Sequence, residues 1–196
     1  NAKAIFSVSK FIKEKFLTGF NIIPKNIHIL HNGVDRNLKK FPDKKKEVLF
    51  VGRLVEEKGV ELFINAVANI AIKALDWKFC IVGSSHLGQV KEQSSFAKKS
   101  SQKFLEIGKQ AYFTGYLNQD DVQKKMKHAS IVVIPSVWQE PYGLVVAEAM
   151  SNGAAIITSF SGGIPEIIES NGIVIKNINQ KKVENALHLM IKNKEK

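Results

Sequence analysis

Cysteine, tryptophan and long apolar runs are what this sequence has least of, and each scarcity removes a class of protein. One residue in 196 is Cys and two are Trp. A single thiol excludes an intrachain disulfide, and Cys80 sits in the apolar run WKFCIVG, where a buried small hydrophobe is expected rather than a nucleophile or ligand. No run approaches the roughly 18 apolar residues that span a bilayer. The start lacks the charged, apolar and small-residue order of a signal peptide, so a cytoplasmic protein is expected. Met is missing at position 1, and the Asn-Ala opening reads as the scar of a cleaved tag, so the natural protein is expected to be longer. His28, His31, His86, His128 and His188 show no ligand spacing, and no Ser-His-acid set can be assembled. Asp120 and Asp121 could suggest a metal-binding pair, but they read better as acids in the first turn of a helix; no metal is predicted.

What is present is the composition of a globular chain. With 44% hydrophobic and 24% charged residues, one ordinary domain with a fragment of a second is expected. A formal charge of +11 attracts anions, and nucleic acid, anionic lipid and phosphorylated small molecules all qualify. The lysines are dispersed, with little aromatic interleaving, which argues against nucleic acid and for solvated surface.

Short β-branched apolar runs recur at KAIFSV, NIHIL, EVLFVG, WKFCIVG, AYFTGY, SIVVIP, AAIIT and GIVIK. Most are near-continuous rather than alternating, the signature of strands covered on both faces. Helical patterns lie between them, at 9–18, 59–72, about 89–107, 119–127, 143–151, 164–169 and 180–193. In the second, Phe63, Ala66, Val67 and Ile70 fall at i, i+3, i+4 and i+7 and give one apolar face. The alternation predicts an α/β fold: a Rossmann-like, doubly wound parallel sheet with helices on both faces and ligands bound where the loops after the strands collect. Residues 1–35 read as a strand, a helix and a further strand; RNLKKFPDKKK reads as a linker, and residues 36–196 as the main domain.

Two segments carry chemistry. In EVLFVGRLVEEKGVELFINAVANI a buried strand ends in Gly52, a cation follows at Arg53, and Lys58 and Gly59 stand where a helix begins. A helix start presents unpaired N–H groups and partial positive charge, so two cations beside it can clamp a diphosphate. Pairing of Arg53 and Lys58 with Glu56 and Glu57 at the surface is an equal reading of that spacing. In SIVVIPSVWQEPYGLVVAEAMSNGAAIITSFSGGIPEII, Glu140 precedes a turn, Gly143 and Leu144 open a helix, and Glu148 lies on it. Taken singly, an acid near a helix N-terminus usually only complements the dipole; taken whole, backbone N–H groups there can face a phosphate, with carboxylates on either side for sugar hydroxyls. Glu166, after Gly163 and Pro165, reads as a dipole partner in the first turn of its own helix.

GRLVEEKG followed by EPYGLVVAE resembles the signature pair of the family 4 retaining glycosyltransferases of the GT-B fold, and the resemblance covers residues 28–190, including HNGVD, the FTGY strand end and SGGIPEII. It implies that Arg53 and Lys58, with Gly52, hold a donor diphosphate. It implies further that Glu140 touches the donor sugar, that Glu148 binds ribose hydroxyls, that Gly143 and Leu144 cradle phosphate, and that Tyr116 or Leu117 grips the base. Although Glu166 reads as a dipole partner, the resemblance places its loop near the donor. Tyr142 stands where the family commonly has Phe. The loop GSSHLG has fewer glycines than many members, so only Gly83 carries over there. The Gly-rich loop, the histidine facing the donor sugar and the acceptor pocket belong to the family's N-terminal domain, of which residues 1–35 would be the last strand-helix unit.

The implied enzyme transfers a sugar with retention from a nucleotide-sugar, most commonly a UDP-sugar, to a saccharide or lipid-linked acceptor, as in bacterial surface polysaccharide or lipopolysaccharide synthesis. Arg53, Lys58 and Glu140 would be its catalytic groups, with no cofactor and no metal, and a peripheral place at the inner membrane face is one option. The rival readings are an epimerase or phosphorylase on the same fold, a glycosidase using the two acids, and a basic module for nucleic acid or anionic lipid.

Overall fold

Each apolar run forms a strand, and each periodic segment between them forms a helix. The computed structural model describes residues 3–20, 26–35, 42–86, 88 and 92–194. Their order is β1 (Ile5–Ser7), α1 (Lys10–Phe20), β2 (Ile27–Ile29), β3 (Lys45–Val51), a 3-10 turn (Glu56–Lys58), α2 (Val60–Ile70), β4 (Lys78–Val82), α3 (Ser95–Leu105), β5 (Ala111–Gly115), α4 (Gln119–His128), β6 (Ala129–Ile134), α5 (Leu144–Ser151), β7 (Ala155–Ser159), α6 (Ile164–Ile168), β8 (Gly172–Ile175) and α7 (Gln180–Lys194).

Strands β3 to β8 form one sheet in the order β5-β4-β3-β6-β7-β8, with every neighbouring pair parallel. The chain enters in the middle at β3, moves outward through β4 and β5, then returns to place β6 on the other side of β3. The direction of travel therefore reverses between β3 and β6, and a crevice opens at the carboxyl ends of those two strands.

The continuous apolar runs divide into two alternating sets because successive side chains leave a strand on opposite faces. Val48, Phe50, Phe79, Ile81 and Val133 join a core with Phe63 of α2, Phe104 of α3 and Leu187 of α7. Leu49, Cys80, Val82, Val132 and Ile134 join a second core with Met126 of α4, Val146 of α5 and Ile164 of α6. Each fully buried large side chain contributes about 1.5–3 kcal/mol. Cys80 is buried as expected, and burial pushes its thiol up to about 11.

Most helix ends fall within one or two residues of the expectation; the start of one helix and the start of one strand differ from it. The helix anticipated from about 89 begins at Ser95, because the Ser94 hydroxyl accepts the Ala97 N–H at 3.2 Å and caps it there; residues 89–91 lie outside the described residues. Of the stretch read as a linker, residues 36–41 also lie outside them, while Lys45 and Lys46 already belong to β3, as its two exposed starting residues. Lys44, just before, donates to the carbonyls of Lys127 at 2.9 Å and Asn152 at 2.6 Å, a cation set on the ends of α4 and α5.

β1 and β2 pair in parallel as a separate two-stranded sheet. The Ser9 hydroxyl caps α1, accepting the Ile12 N–H at 3.1 Å, and donates to the Pro141 carbonyl at 2.6 Å. Tyr142 donates its hydroxyl to the Asn32 carbonyl at 3.0 Å. Among the described residues no helix is long and apolar enough to cross a membrane.

Candidate functional site

The loops after β3 and β6 are joined backbone to backbone at the crevice. The Glu57 carbonyl accepts from Val137 N at 2.9 Å and Trp138 N at 3.1 Å. Gly59 has φ 67°, and a Cβ there would stand 2.0 Å from the Pro135 carbonyl oxygen. Only glycine allows the start of α2 to lie this close to the end of β6. Gly52 directly follows β3 beside β4, its N–H donating to the Val82 carbonyl at 3.1 Å.

Across this joint Lys58 Nζ meets Glu140 Oε1 at 2.6 Å, and the Ser136 hydroxyl donates to the same oxygen at 2.7 Å. Glu140 is 8% exposed. The surface pairing of Lys58 with Glu56 or Glu57 does not form; its partner comes from the loop after β6. Arg53 lies 4.0 Å from Glu57, a loose and exposed pair, worth little in water. Two cations thus stand around the start of α2, where the helix dipole already favours an anion. Glu140 neutralises one of them.

Below Glu140 the chain turns through Gly143, φ 95°, into α5. Glu148, on that helix, is half-buried, and burial pushes its carboxyl above the usual value, opposed by a hydrogen bond from the Gln119 amide at 2.6 Å. Glu148, Leu144 and Gln119 line a cleft of about 580 Å³, together with Asp35 and Lys124. The structure therefore gathers Gly52, Arg53, Lys58 and Glu140 at the crevice, and Leu144 and Glu148 along the neighbouring cleft. Tyr116 is exposed past the end of β5. Leu117 lines a different, smaller cleft of about 370 Å³ under α4, with Glu47 and Lys125. Gly83 packs on Gly52: a Cβ on it would stand 1.9 Å from the Gly52 carbonyl oxygen.

Glu166 departs from its expected role. It lies in the first turn of α6, yet its carboxylate accepts the N–H groups of Lys10 at 2.7 Å and Phe11 at 2.8 Å, capping α1 from more than 150 positions away. Ser136 and Gln119 are the contributors that sequence reasoning missed. Only Ser136 left a signal, a polar residue following the apolar run of β6 four positions before Glu140.

The family model of the group 1 glycosyl transferases matches residues 31–196. An uncharacterized glycosyltransferase of Methanocaldococcus jannaschii is 34% identical over 187 residues, covering 86% of this chain and 46% of its own length. The lipopolysaccharide 1,2-N-acetylglucosaminetransferase of Salmonella typhimurium is 28% identical over 121 residues, 62% of this chain and 32% of its own. Among solved structures, Anabaena HepE in complex with UDP and glucose aligns over 99% of this chain and 55% of its own with a TM-score of 0.82 at 21% identity, a likeness of fold. The chain spans about half the length of the curated relatives it matches. With the six-stranded parallel sheet, crevice and motif pair in place, the chain belongs to the group 1 glycosyl transferases, as a GT-B-type, Rossmann-like domain.

Proposed function

We propose that this chain is the donor-binding half of a retaining glycosyltransferase, with residues 36–196 as the nucleotide-sugar domain and residues 1–35 as the last strand-helix unit of the acceptor-binding one. The observation that carries the reading is the meeting of Lys58 and Glu140 at the reversal point of the sheet, next to Arg53 and the start of α2. A nucleoside diphosphate leaving group gathers negative charge as its bond to the anomeric carbon breaks. Arg53, Lys58 and the helix N–H groups of α2 and α5 would take up that charge. Fixed cations in that role make a divalent ion unnecessary.

Glu140 is then the sugar-facing acid: one oxygen is held by Lys58 and Ser136, and the other is left for a donor hydroxyl. Glu148 serves the ribose, and the main chain at Tyr116 or Leu117 serves the base. UDP-sugars are the first donors to test, since HepE, a protein of the same fold, was solved with UDP and glucose. A saccharide or lipid-linked acceptor would be supplied by the other domain, and the transferase of lipopolysaccharide among the relatives supports that class. Catalysis in such a fold needs two domains closed around the reacting bond, so this chain binds donor without transferring sugar.

Calorimetry on the chain tests the assignment. Arg53→Ala should weaken nucleoside diphosphate binding about tenfold or more. Glu148→Ala should weaken nucleotide and nucleotide-sugar alike, whereas Glu140→Ala should weaken only ligands that carry the sugar. Nucleotide binding unchanged in Arg53→Ala, or lost equally in the two acid variants, overturns the reading.

A further inference from the structure

We propose that Gln119 is a positioning residue for Glu148 and the second acceptor for a ribose cis-diol, so that the pair makes the site discriminate ribonucleotides from 2′-deoxyribonucleotides. The inference rests on the donor-site reading and adds to it a residue outside both signature motifs.

The geometry begins with the cap of α4. Asn118 accepts the Asp121 N–H at 2.9 Å and donates its amide to Asp121 Oδ2 at 3.0 Å, which fixes the turn from which Gln119 projects as the first helical residue. Its Nε2 donates to Glu148 Oε1 at 2.6 Å. An ionised carboxylate only accepts, so the amide must face it with its NH₂ group and turn its carbonyl away. One turn further along, the Asn152 amide donates to the Gln123 side-chain carbonyl and to the Glu148 carbonyl. Helices α4 and α5 are thus held in register at two levels, and the Gln119–Glu148 bond is not a chance meeting of two exposed side chains.

Gln119 and Glu148 line the same 580 Å³ cleft. Their bond occupies one Glu148 oxygen and leaves two acceptors, the other Glu148 oxygen and the Gln119 carbonyl. A ribose brings two adjacent O–H donors; a 2′-deoxyribose brings one. A site built to hydrogen-bond a hydroxyl rejects an analogue that lacks it, because its acceptor is left unpaired. Among the described residues, the other charged groups facing this cleft are Asp35, Asp120, Lys124 and Lys127. Lys124 is engaged with Asp121 at 2.8 Å, and it is Gln119 that touches the Glu148 carboxylate, in the sense that favours its ionised form.

The test uses matched ribo and 2′-deoxy forms of ADP, GDP and UDP in calorimetry against the unaltered chain, Gln119→Leu, Gln119→Lys and Glu148→Ala, with an NMR titration of the Glu148 carboxyl carbon in the ligand-free proteins. The unaltered chain should prefer the ribo form of its best ligand about tenfold or more. In Gln119→Leu that preference should fall below about threefold, mainly through weaker ribo binding, and the Glu148 midpoint should move up. Gln119→Lys restores a donor without the carbonyl, so its Glu148 midpoint should move down while the preference stays reduced. Opposite midpoint shifts establish the Gln119–Glu148 contact, and the lost preference beside them distinguishes a ligand role from a merely structural one. If Glu148→Ala removes the preference and Gln119→Leu changes neither preference nor midpoint, this inference falls and the donor site stands. If no diphosphate binds the unaltered chain, the donor-site reading falls and takes the ribose role with it.

Discussion

Glu140 and Glu148 stand eight residues apart in one motif, yet the fold treats them as different chemical problems. Glu140 is in an irregular loop, 8% exposed, with a cation and a hydroxyl on one oxygen and its own peptide carbonyl accepting Gly163 N–H at 2.8 Å. Glu148 is on a regular helix, half-buried, with a neutral amide as its partner and burial working against its charge. A buried carboxylate is stable only when its lost hydration is replaced. The loop replaces it with an ion pair and a hydroxyl on one oxygen; the helix replaces it with one neutral amide and leaves the rest to water or to a ligand. The first arrangement fixes a group in place, and the second keeps one available.

The backbone should show the difference most strongly. A Cβ on Gly162, φ 55°, would stand 2.0 Å from the Glu140 carbonyl oxygen, whereas one on Gly143, φ 95°, would meet the Ile164 side chain at 2.8 Å. Both positions carry the left-handed strain, but a side chain can move aside and a peptide cannot. Gly162→Ala is expected to cost more than about 2 kcal/mol in urea unfolding, and Gly143→Ala distinctly less. Equal losses would mean that the Glu140 loop is no more rigid than the start of α5. The next effect in size is Glu140→Gln. With Lys58 and Glu140 side chains 23% and 11% exposed, removing the charge leaves a largely buried lysine without its counter-ion, for about 1–3 kcal/mol of stability. A variant as stable as the unaltered chain would show that solvent already screens the pair.

Much of this contrast was legible in the sequence, and the remainder has a physical reason for its absence. The strands announced themselves because burial on both faces demands continuous apolar runs, and EVLFVG, WKFCIVG and SIVVIP obey that demand. The crevice followed from alternation, since parallel strands force the loops after them to one edge. Gly59 and Gly162 were visible as glycines in motifs, but the carbonyls that exclude a Cβ there belong to Pro135 and Glu140, both distant in sequence. Lys58 was weighed against its neighbours Glu56 and Glu57 because local pairs are the only ones that spacing reveals. Its partner lies 82 positions on. Glu166 was assigned to its own helix for the same reason, and caps α1 instead. Gln119 had no signal, since a glutamine at the start of a helix is ordinary until the opposite helix places a carboxylate against it.

The smallest effect tests the helix side of the comparison. Burial raises the Glu148 carboxyl above its ordinary 4.5 in the folded chain, so the folded state holds this proton more tightly than the unfolded one. As pH rises from the unfolded value through the raised folded value, the unfolded state releases its proton first, and stability falls across that window; above it the loss is complete and constant. The ionised group is thus a small net cost near neutral pH, limited by its partial exposure to a few tenths of a kcal/mol. Glu148→Gln removes the ionisation and can still accept the Gln119 amide through its carbonyl. It should therefore be slightly more stable than the unaltered chain at about pH 7, with the advantage shrinking to nothing below the unfolded carboxylate value. Glu140→Gln, by contrast, should be destabilising at neutral pH, because there the charge is matched. Thermal unfolding of both variants across that pH range reads the two signs side by side. A Glu148→Gln chain that is less stable at neutral pH would show that its charge is as well compensated as that of Glu140, and the two carboxylates would then be one problem solved twice.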